Sequence, residues 1–179
     1  MTMAVNKWVI QLDEDVVKEV ESGRYPETTK SFQVTRSNQC ENAPCTTVCP
    51  TEAMYHRQDG IVDFNRNICI GCKACLNACP YDAIYIDPVS NSAEKCNFCA
   101  HRIDRNLEPA CVSICPTEAI IVGNYNNPTE NLQRYITDPK IRVRKPERGT
   151  KPRLFYSGKE ENRLNPLNVK VTRTRSMLE

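Results

Sequence analysis

The sequence predicts a small α+β protein in which short strands, short helical turns and cysteine-rich loops alternate. One phrase, consisting of Cys-Pro, any residue, an acid, Ala and an aliphatic-type residue, occurs three times, beginning at Cys49, Cys79 and Cys115. The copies lead into short runs that favour strands, such as residues 83–86 and 120–122. Every cysteine lies between residues 37 and 123. The repeat and the cysteines therefore occupy the same stretch, which indicates a unit built by duplication.

The amino-acid composition is poor in core-forming residues. The chain has 179 residues, of which 40% are hydrophobic and 7% aromatic, together with 12 prolines and 6 glycines. The 11 cysteines indicate that a disulfide framework or bound metal supplies part of the stability. An odd number of cysteines cannot pair completely, and the N-terminus lacks the basic and apolar segments of an export signal. We therefore expect a cytoplasmic, metal-binding chain.

Charge and hydropathy argue against two classes of partner. The 24 basic and 22 acidic residues leave a formal charge of +2, which is too balanced to favour nucleic acid. No apolar run reaches the roughly eighteen residues of a membrane span. The sequence also lacks Gly-rich phosphate loops and any nucleophile-plus-base set, so we expect no catalytic site in this chain.

Three regions follow from the composition. Residues 1–36 lack cysteine and begin with a predicted strand at residues 8–12, followed by a mixed charged segment. Residues 37–123 form the cysteine-rich domain, in which residues 56–62 predict a hairpin with Asp-Gly at its turn. Residues 124–179 are polar, basic and punctuated by proline, and we expect an extended C-terminal tail that contacts a partner or the domain itself.

The most specific motif spans residues 69–80 and reads C-x2-C-x2-C-x3-C-P. This is the bacterial ferredoxin run, in which three cysteines hold one cubane iron–sulfur cluster and the fourth serves another cluster. Gly71 permits the tight backbone that such a loop needs to curl around a cube. A tetrahedral zinc site normally uses two close cysteine pairs separated by a longer loop, which this spacing does not match. The cysteines of the run are Cys69, Cys72, Cys75 and Cys79.

Two further cysteine motifs flank this run and share its Cys-Pro ending. The preceding motif reads C-x4-C-x3-C-P, and Ser37 stands three residues before its first cysteine, where a further cysteine would complete the pattern. The following motif reads C-x2-C-x11-C-x3-C-P. Alone it could be a four-cysteine zinc knuckle, but beside the ferredoxin run it indicates another cluster site. The cysteines of these two motifs are Cys40, Cys45 and Cys49, and then Cys96, Cys99, Cys111 and Cys115.

In this order, the three motifs resemble those of the four-cluster iron–sulfur subunits of molybdenum and tungsten oxidoreductases of the dimethyl-sulfoxide-reductase type. The resemblance spans roughly residues 31–123, and residues 149–156 resemble the family's ending. It implies two tandem ferredoxin-like folds whose motifs exchange their last cysteines. The family's first cysteine motif is absent, because residues 13–18 contain no cysteine where that motif should stand. The 11 cysteines therefore suit three clusters rather than four.

The resemblance also implies which residues hold each cluster. The first site is complete and, like the third, is expected to hold a [4Fe–4S] cluster. The second site has either Ser37 or water as its fourth ligand, or else holds a [3Fe–4S] cluster. The third site lacks its family partner, which Cys115 is expected to replace. The three predicted sites are, in turn, Cys49 with Cys69, Cys72 and Cys75; Cys40, Cys45 and Cys79 with Ser37; and Cys96, Cys99 and Cys111 with Cys115.

The implied function is electron transfer by a non-catalytic subunit. Such a subunit connects a tungsten or molybdenum catalytic subunit to a further electron-transfer subunit or ferredoxin. Within the family, the three-cluster pattern is similar to the small iron–sulfur subunit of tungsten-dependent class II benzoyl-CoA reductase. Electron-transfer subunits of aldehyde oxidoreductase, formate dehydrogenase or hydrogenase complexes are alternatives. A free soluble ferredoxin is another, although free ferredoxins are typically shorter and strongly acidic.

Overall fold

The computed structural model describes residues 7–11, 18–33, 36–125, 128–139 and 141–157. These residues form short strands and short helices, in agreement with the predicted α+β class, and 3-10 turns lie at Arg66–Ile68 and Pro146–Arg148. No helix in the described part of the chain has the length and apolar character needed to cross a membrane. The elements are β1 (Lys7–Gln11), β2 (Lys18–Arg24), β3 (Glu27–Gln33), α1 (Pro44–Thr47), β4 (Met54–His56), β5 (Val62–Phe64), α2 (Ala74–Ala78), β6 (Ile84–Ile86), β7 (Ala93–Lys95), α3 (Ala100–Ile103), α4 (Ala110–Ser113), β8 (Ile120–Asn124), α5 (Glu130–Ile136) and β9 (Leu154–Tyr156).

A three-stranded sheet joins distant parts of the chain. Its order is β8-β1-β9, with β1 antiparallel to β8 and parallel to β9. The predicted strand at residues 8–12 is therefore present as β1, apart from residue 12, which lies outside the described residues. This sheet connects the N-terminal region, the end of the cysteine-rich domain and the C-terminal segment.

A β-hairpin follows the position where the family's first cysteine motif would stand, of which residues 13–17 lie outside the described residues. Strands β2 and β3 pair in antiparallel register, with Lys18 opposite Gln33 and Arg24 opposite Glu27. The sequence predicted only a mixed charged segment here. The turn between the strands is Tyr25-Pro26, which lacks the Asn-Gly or Asp-Gly pair that usually identifies a two-residue hairpin turn.

The repeated Cys-Pro phrase specifies one backbone turn. In all three copies the acidic residue has a left-handed conformation, with φ of 54° at Glu52, 54° at Asp82 and 53° at Glu118. The alanines that follow the first and third acids, Ala53 and Ala119, are buried, so the turn places a small side chain inside before the strand begins. A left-handed non-glycine residue costs about 1–2 kcal/mol, which the surrounding packing must offset in each copy.

Two hairpins follow these turns. Strand β4 pairs with β5, with His56 opposite Val62, as the sequence predicted, and β6 pairs with β7. Together with α1 and α2 they enclose a first core that includes three buried cysteines. A second core of Ile61, Phe98, Leu154 and Tyr156 lies toward the three-stranded sheet. The buried members of the first core are Cys40, Ala43, Cys45, Met54, Val62, Cys75, Tyr81, Ile84 and Ala93.

The C-terminal segment differs from the extended tail predicted for residues 124–179. Over residues 128–139 and 141–157 it forms α5, a 3-10 turn and β9, and it packs on the chain's own cysteine-rich domain. Its backbone accepts hydrogen bonds from the amides of Glu41 and Asn42, and Arg153 donates to the carbonyl of Asn38. Buried apolar residues such as Leu132 pack against the domain and hold the segment in place. In the sequence these residues stand singly among polar neighbours, so they gave no sign of a core. Residues 158–179 lie outside the described residues.

Candidate metal centres

The first cavity is lined by the four cysteines predicted for the first site. It has a volume of about 340 Å³, and its other walls are mostly apolar, including Met54, Phe64 and Ala93. Cys75 lies in α2, and the other cysteines lie in the loops before α2 and after α1. The cysteines are Cys49, Cys69, Cys72 and Cys75.

The loop between Cys69 and Cys75 curls because two of its residues are left-handed. Gly71 has φ of 65° and Lys73 has φ of 61°. A Cβ atom at Gly71 would lie 2.6 Å from the carbonyl oxygen of Asn91, so only glycine fits against the neighbouring β6–β7 loop. The tight backbone expected of this glycine is therefore present, and its close approach to Asn91 adds a packing reason.

Backbone amides point at the sulfur atoms of this cavity. The amide of Ala93 donates to Cys69 Sγ at 3.3 Å, and the amide of Met54 donates to Cys49 Sγ at 3.5 Å. Burial raises the pKa of Cys49, but the Met54 amide and the Thr51 hydroxyl outweigh burial, so the net pKa is lowered. At Cys75 burial dominates and raises the pKa to about 11. Ligation of a metal must therefore remove a proton from Cys75.

The second cavity is lined by all four residues predicted for the second site. Its volume is also about 340 Å³. Burial raises the pKa of Cys40 to about 11, opposed by a hydrogen bond from Thr150. Burial also raises the pKa of Cys45, opposed by the positive charge of Lys95. The predicted residues are Ser37, Cys40, Cys45 and Cys79.

Two polar residues of the second cavity were missed by sequence reasoning. Lys95 is 6% exposed, and its Nζ donates to the carbonyl oxygens of Val62 and Cys96. Asn38 is 2% exposed, and neither its Nδ2 nor its Oδ1 has a hydrogen-bond partner among the described residues. A lysine beside a cysteine motif is usually solvated, so nothing in the sequence singled it out.

The third motif is arranged around α3 and α4. Cys96 follows β7, Cys99 caps α3 with φ of 51°, and Cys111 lies in α4. Arg36 Nη1 donates to Cys111 Sγ at 3.0 Å. Cys115 repeats the environment of Cys49, because Thr117 Oγ1 lies 3.6 Å from its sulfur and lowers its pKa. The ligand set of this third site stays a prediction.

The donors of the first two cavities fit a thiolate-ligated polynuclear cluster. Thiolates are soft ligands that favour iron–sulfur clusters, zinc or copper(I). In the described part of the chain no three His, Cys, Asp or Glu side chains converge closely enough to hold a single metal ion. The thiols instead stand around an open space, with amide donors aimed at sulfur, which is an environment that iron–sulfur clusters use. These residues would hold such a cluster when it is present.

Comparison with known proteins decides the family. The profile of the 4Fe-4S dicluster domain matches residues 29–125, which include all the cysteines. The chain is a member of this family of 4Fe–4S dicluster proteins. It is 44% identical to a polysulfide reductase chain of Wolinella succinogenes over 135 residues, covering 74% of this chain and 71% of that protein.

Two further relatives of this dicluster protein are also subunits of reductases. It is 39% identical to a tetrathionate reductase subunit of Salmonella typhimurium over 132 residues, or 73% of this chain and 53% of that protein. It is 32% identical to the arsenate respiratory reductase iron–sulfur subunit of a Shewanella species over 182 aligned positions, or 75% of this chain and 78% of that protein. The chain therefore spans only about half of the tetrathionate reductase subunit. The predicted resemblance to iron–sulfur subunits of dimethyl-sulfoxide-reductase-type enzymes is confirmed.

Proposed function

We propose that this dicluster protein is the electron-transfer subunit of a reductase complex and connects its catalytic subunit to a second redox partner. One observation carries the proposal: the last cysteine of each of two motifs lines the cavity of the other motif. Cys49 ends the C-x4-C-x3-C-P motif but lines the first cavity with Cys69. Cys79 ends the ferredoxin run but lines the second cavity with Cys40. A thiolate-held cubane cluster supplies one-electron transfer when it is bound.

This exchange has a structural cause. Cys45 lies in α1 and Cys75 lies in α2, but each helix ends before the last cysteine of its motif. Cys49 follows the end of α1, and Cys79 caps α2 with an extended backbone, so neither stays on the helical path of the cysteine before it. The helices pack on one another, which brings the two cavities side by side. The residues would thus hold two redox groups next to each other in one core, as an electron relay requires.

We further propose three clusters in all, held by the three predicted cysteine sets. The third set is favoured by its spacing and by Arg36, whose guanidinium contacts Cys111 Sγ and would offset thiolate charge there. Ser37 lines the second cavity, in position to be an oxygen ligand of a weakly held iron. A [3Fe–4S] cluster at that site is the alternative.

The partner proposed is a catalytic subunit of the molybdenum or tungsten class. The names of the relatives favour a reductase of a sulfur compound or an oxyanion, because they are subunits of polysulfide, tetrathionate and arsenate reductases. They lend no support to the benzoyl-CoA reductase assignment, and tungsten in particular has no support from them. The aldehyde oxidoreductase, formate dehydrogenase and hydrogenase alternatives rest on the motifs alone. A cytoplasmic location likewise stays a prediction from the sequence.

Anaerobic purification of the tagged chain from its native cells tests this function. We expect a larger subunit to co-purify, and the complex to contain iron together with molybdenum or tungsten. An untagged strain is the control for adventitious binding. A chain that elutes alone with its iron intact would instead support a free ferredoxin, which the formal charge of +2 makes less favourable for docking to basic reductases.

A further inference from the structure

The two cavities differ in the charge of their walls. The first is lined by apolar residues, its cysteines, Thr51 and the exposed Lys73. The second contains the buried side chains of Lys95 and Asn38 beside its cysteines. The cavities have equal volumes, and they differ in this polar lining and in having Ser37 in the second cavity where the first has a fourth cysteine.

Lys95 is a buried cation with no carboxylate bonded to it in the described part of the chain. Its Nζ donates to two carbonyl oxygens, which leaves one of its three N–H donors without a protein partner among these residues. The nearby carboxylate of Asp63 lies 3.8 Å from Nη1 of Arg57 and receives the Phe64 amide. A buried ammonium is strongly unfavourable unless negative charge lies close to it. Asp63 and the neighbouring cysteines can supply part of that charge, and an anionic group in the second cavity would supply more.

Two groups near Lys95 add to the difference in polarity and charge between the two cavities. Asn38 lines the cavity, and neither Nδ2 nor Oδ1 of its buried amide has a partner among the described residues, so Nδ2 is available as a donor to an anionic group there. Arg144 is 3% exposed, and its guanidinium carbon lies 5.9 Å from the centroid of Tyr81, itself a wall of the same cavity. By contrast, Lys73 at the first cavity is exposed, so water and salt screen its charge.

We propose that Lys95, assisted by Asn38, makes the cluster site of the second cavity the more easily reduced of the two sites. This inference rests on the proposed function. The reaction concerned is the uptake of one electron from a low-potential donor such as dithionite, with no bond made or broken and no proton transferred. Added negative charge is stabilised by the fixed cation and the amide donor, so the reduction potential rises. Lys95 acts through the electrostatic effect of its positive charge on the cluster site and does not contact a substrate.

Redox titration of the iron-loaded full chain, followed by EPR, tests the inference. Lys95→Gln removes the charge and keeps an N–H donor, Lys95→Arg keeps the charge, and Lys73→Gln is the matched control at the first cavity. Cys72→Ser alters only the first cavity and identifies its signal. Asn38→Asp adds a negative charge to the second cavity without touching Lys95, and so serves if the lysine variant folds poorly.

The expected result is a more negative potential for the second-cavity signal alone in Lys95→Gln and in Asn38→Asp. The ratio of reduced to oxidised cluster at a given potential should fall at least tenfold, which is about 59 mV for a one-electron couple. Lys95→Arg and Lys73→Gln should shift neither signal appreciably. Unchanged potentials in Lys95→Gln and Asn38→Asp, or a larger shift at the first cavity, would overturn the inference while leaving the cluster content intact. Loss of the proposed function itself would show as an absence of iron in the parent chain.

Discussion

The Tyr81 phenol and the Thr150 hydroxyl are hydrogen-bonded at 2.5 Å, in the interior and 69 residues apart in sequence. In the repeated phrase Tyr81 takes the position of Thr51 and Thr117, whose hydroxyls lie near the preceding cysteine sulfurs. In the second copy, the residue after Cys-Pro therefore makes a long-range hydrogen bond to Thr150, whereas in the other two copies its hydroxyl lies near the cysteine sulfur. That bond fastens the C-terminal segment to the wall of the second cavity.

Tyr81→Phe and Thr150→Val should each destabilise the protein by about 1–3 kcal/mol, because each leaves a buried hydroxyl partner unsatisfied or removes a buried bond. The double variant should cost less than the sum, since the two residues share one bond. Chemical denaturation of the iron-loaded chain measures this. Tyr85→Phe is the control: Tyr85 is 56% exposed, and its loss should stay within about 0.5 kcal/mol. Additive effects would contradict direct coupling.

Gly71 and Gly149 form a matched pair, because both have φ of 65° but only Gly71 is crowded. Gly149→Ala should cost about 1–2 kcal/mol from backbone strain alone, since nothing lies within 4 Å of its added Cβ. Gly71→Ala adds a clash with the Asn91 carbonyl and should cost about 2–5 kcal/mol in total. Unfolding measurements and iron content check this. Equal losses in both variants would show that the close approach to Asn91 is unimportant.

The iron content should reflect three clusters. Anaerobically purified protein should contain between about ten and twelve irons, with the range set by whether the Ser37 site keeps its fourth iron. The measurement is iron quantification against protein determined by amino-acid analysis. About sixteen irons, or fewer than about eight, would contradict three clusters.

The cluster at the second cavity should be the one most sensitive to oxidation. Serine or water oxygen is a harder ligand than thiolate, so the iron beside Ser37 should leave first. Mild oxidation should produce a [3Fe–4S] EPR signal in the parent chain and in the control Ser90→Cys, whose residue is exposed in the β6–β7 loop. Ser37→Cys should suppress the signal. A signal unchanged in that variant would exclude Ser37 as the ligand position.

Cys49→Ala should loosen the fold as well as remove iron. Cys49 lies after α1, receives the Met54 amide and lines a cavity with residues of the ferredoxin run, so it joins two motifs. Cys72→Ala is the control: the exposed Cys72 lines the same cavity but belongs to the ferredoxin run itself, so it does not join two motifs. Limited proteolysis should cut Cys49→Ala much faster than Cys72→Ala. Equal resistance would show that apolar packing alone holds the fold.

The observed burial of side chains favours the clusters over apolar packing as the main source of stability in this domain. If apolar packing held the fold, isoleucines of the cysteine-rich domain such as Ile68, Ile70 and Ile84 should be buried. Ile84 is buried, but Ile68 is 45% exposed and Ile70 is 65% exposed. The first core depends instead on its cysteines, which is why its stability should follow the clusters.

Local patterns could be predicted because they depend on neighbouring residues. The Asp-Gly signal identified the β4–β5 hairpin, and the repeated phrase identified the strands that follow each Cys-Pro turn. Motif spacing together with the family resemblance predicted the cysteines that line each of the two cavities. The assignment of the third set, and the number of clusters, remain predictions.

The sequence by itself determined that this protein carries cysteine motifs suited to iron–sulfur clusters. Cysteine spacing and a repeated turn depend on neighbouring residues, so they can be recognised without knowing how the chain folds. The tertiary structure alone decided that residues 128–139 and 141–157 fold back on the domain, and that strand β1 lies between β8 and β9. It also decided that Lys95 lies inside beside the second cavity. These features depend on contacts between residues far apart in the chain, and a lysine or a short apolar run carries no local signal of which distant surface will bury it.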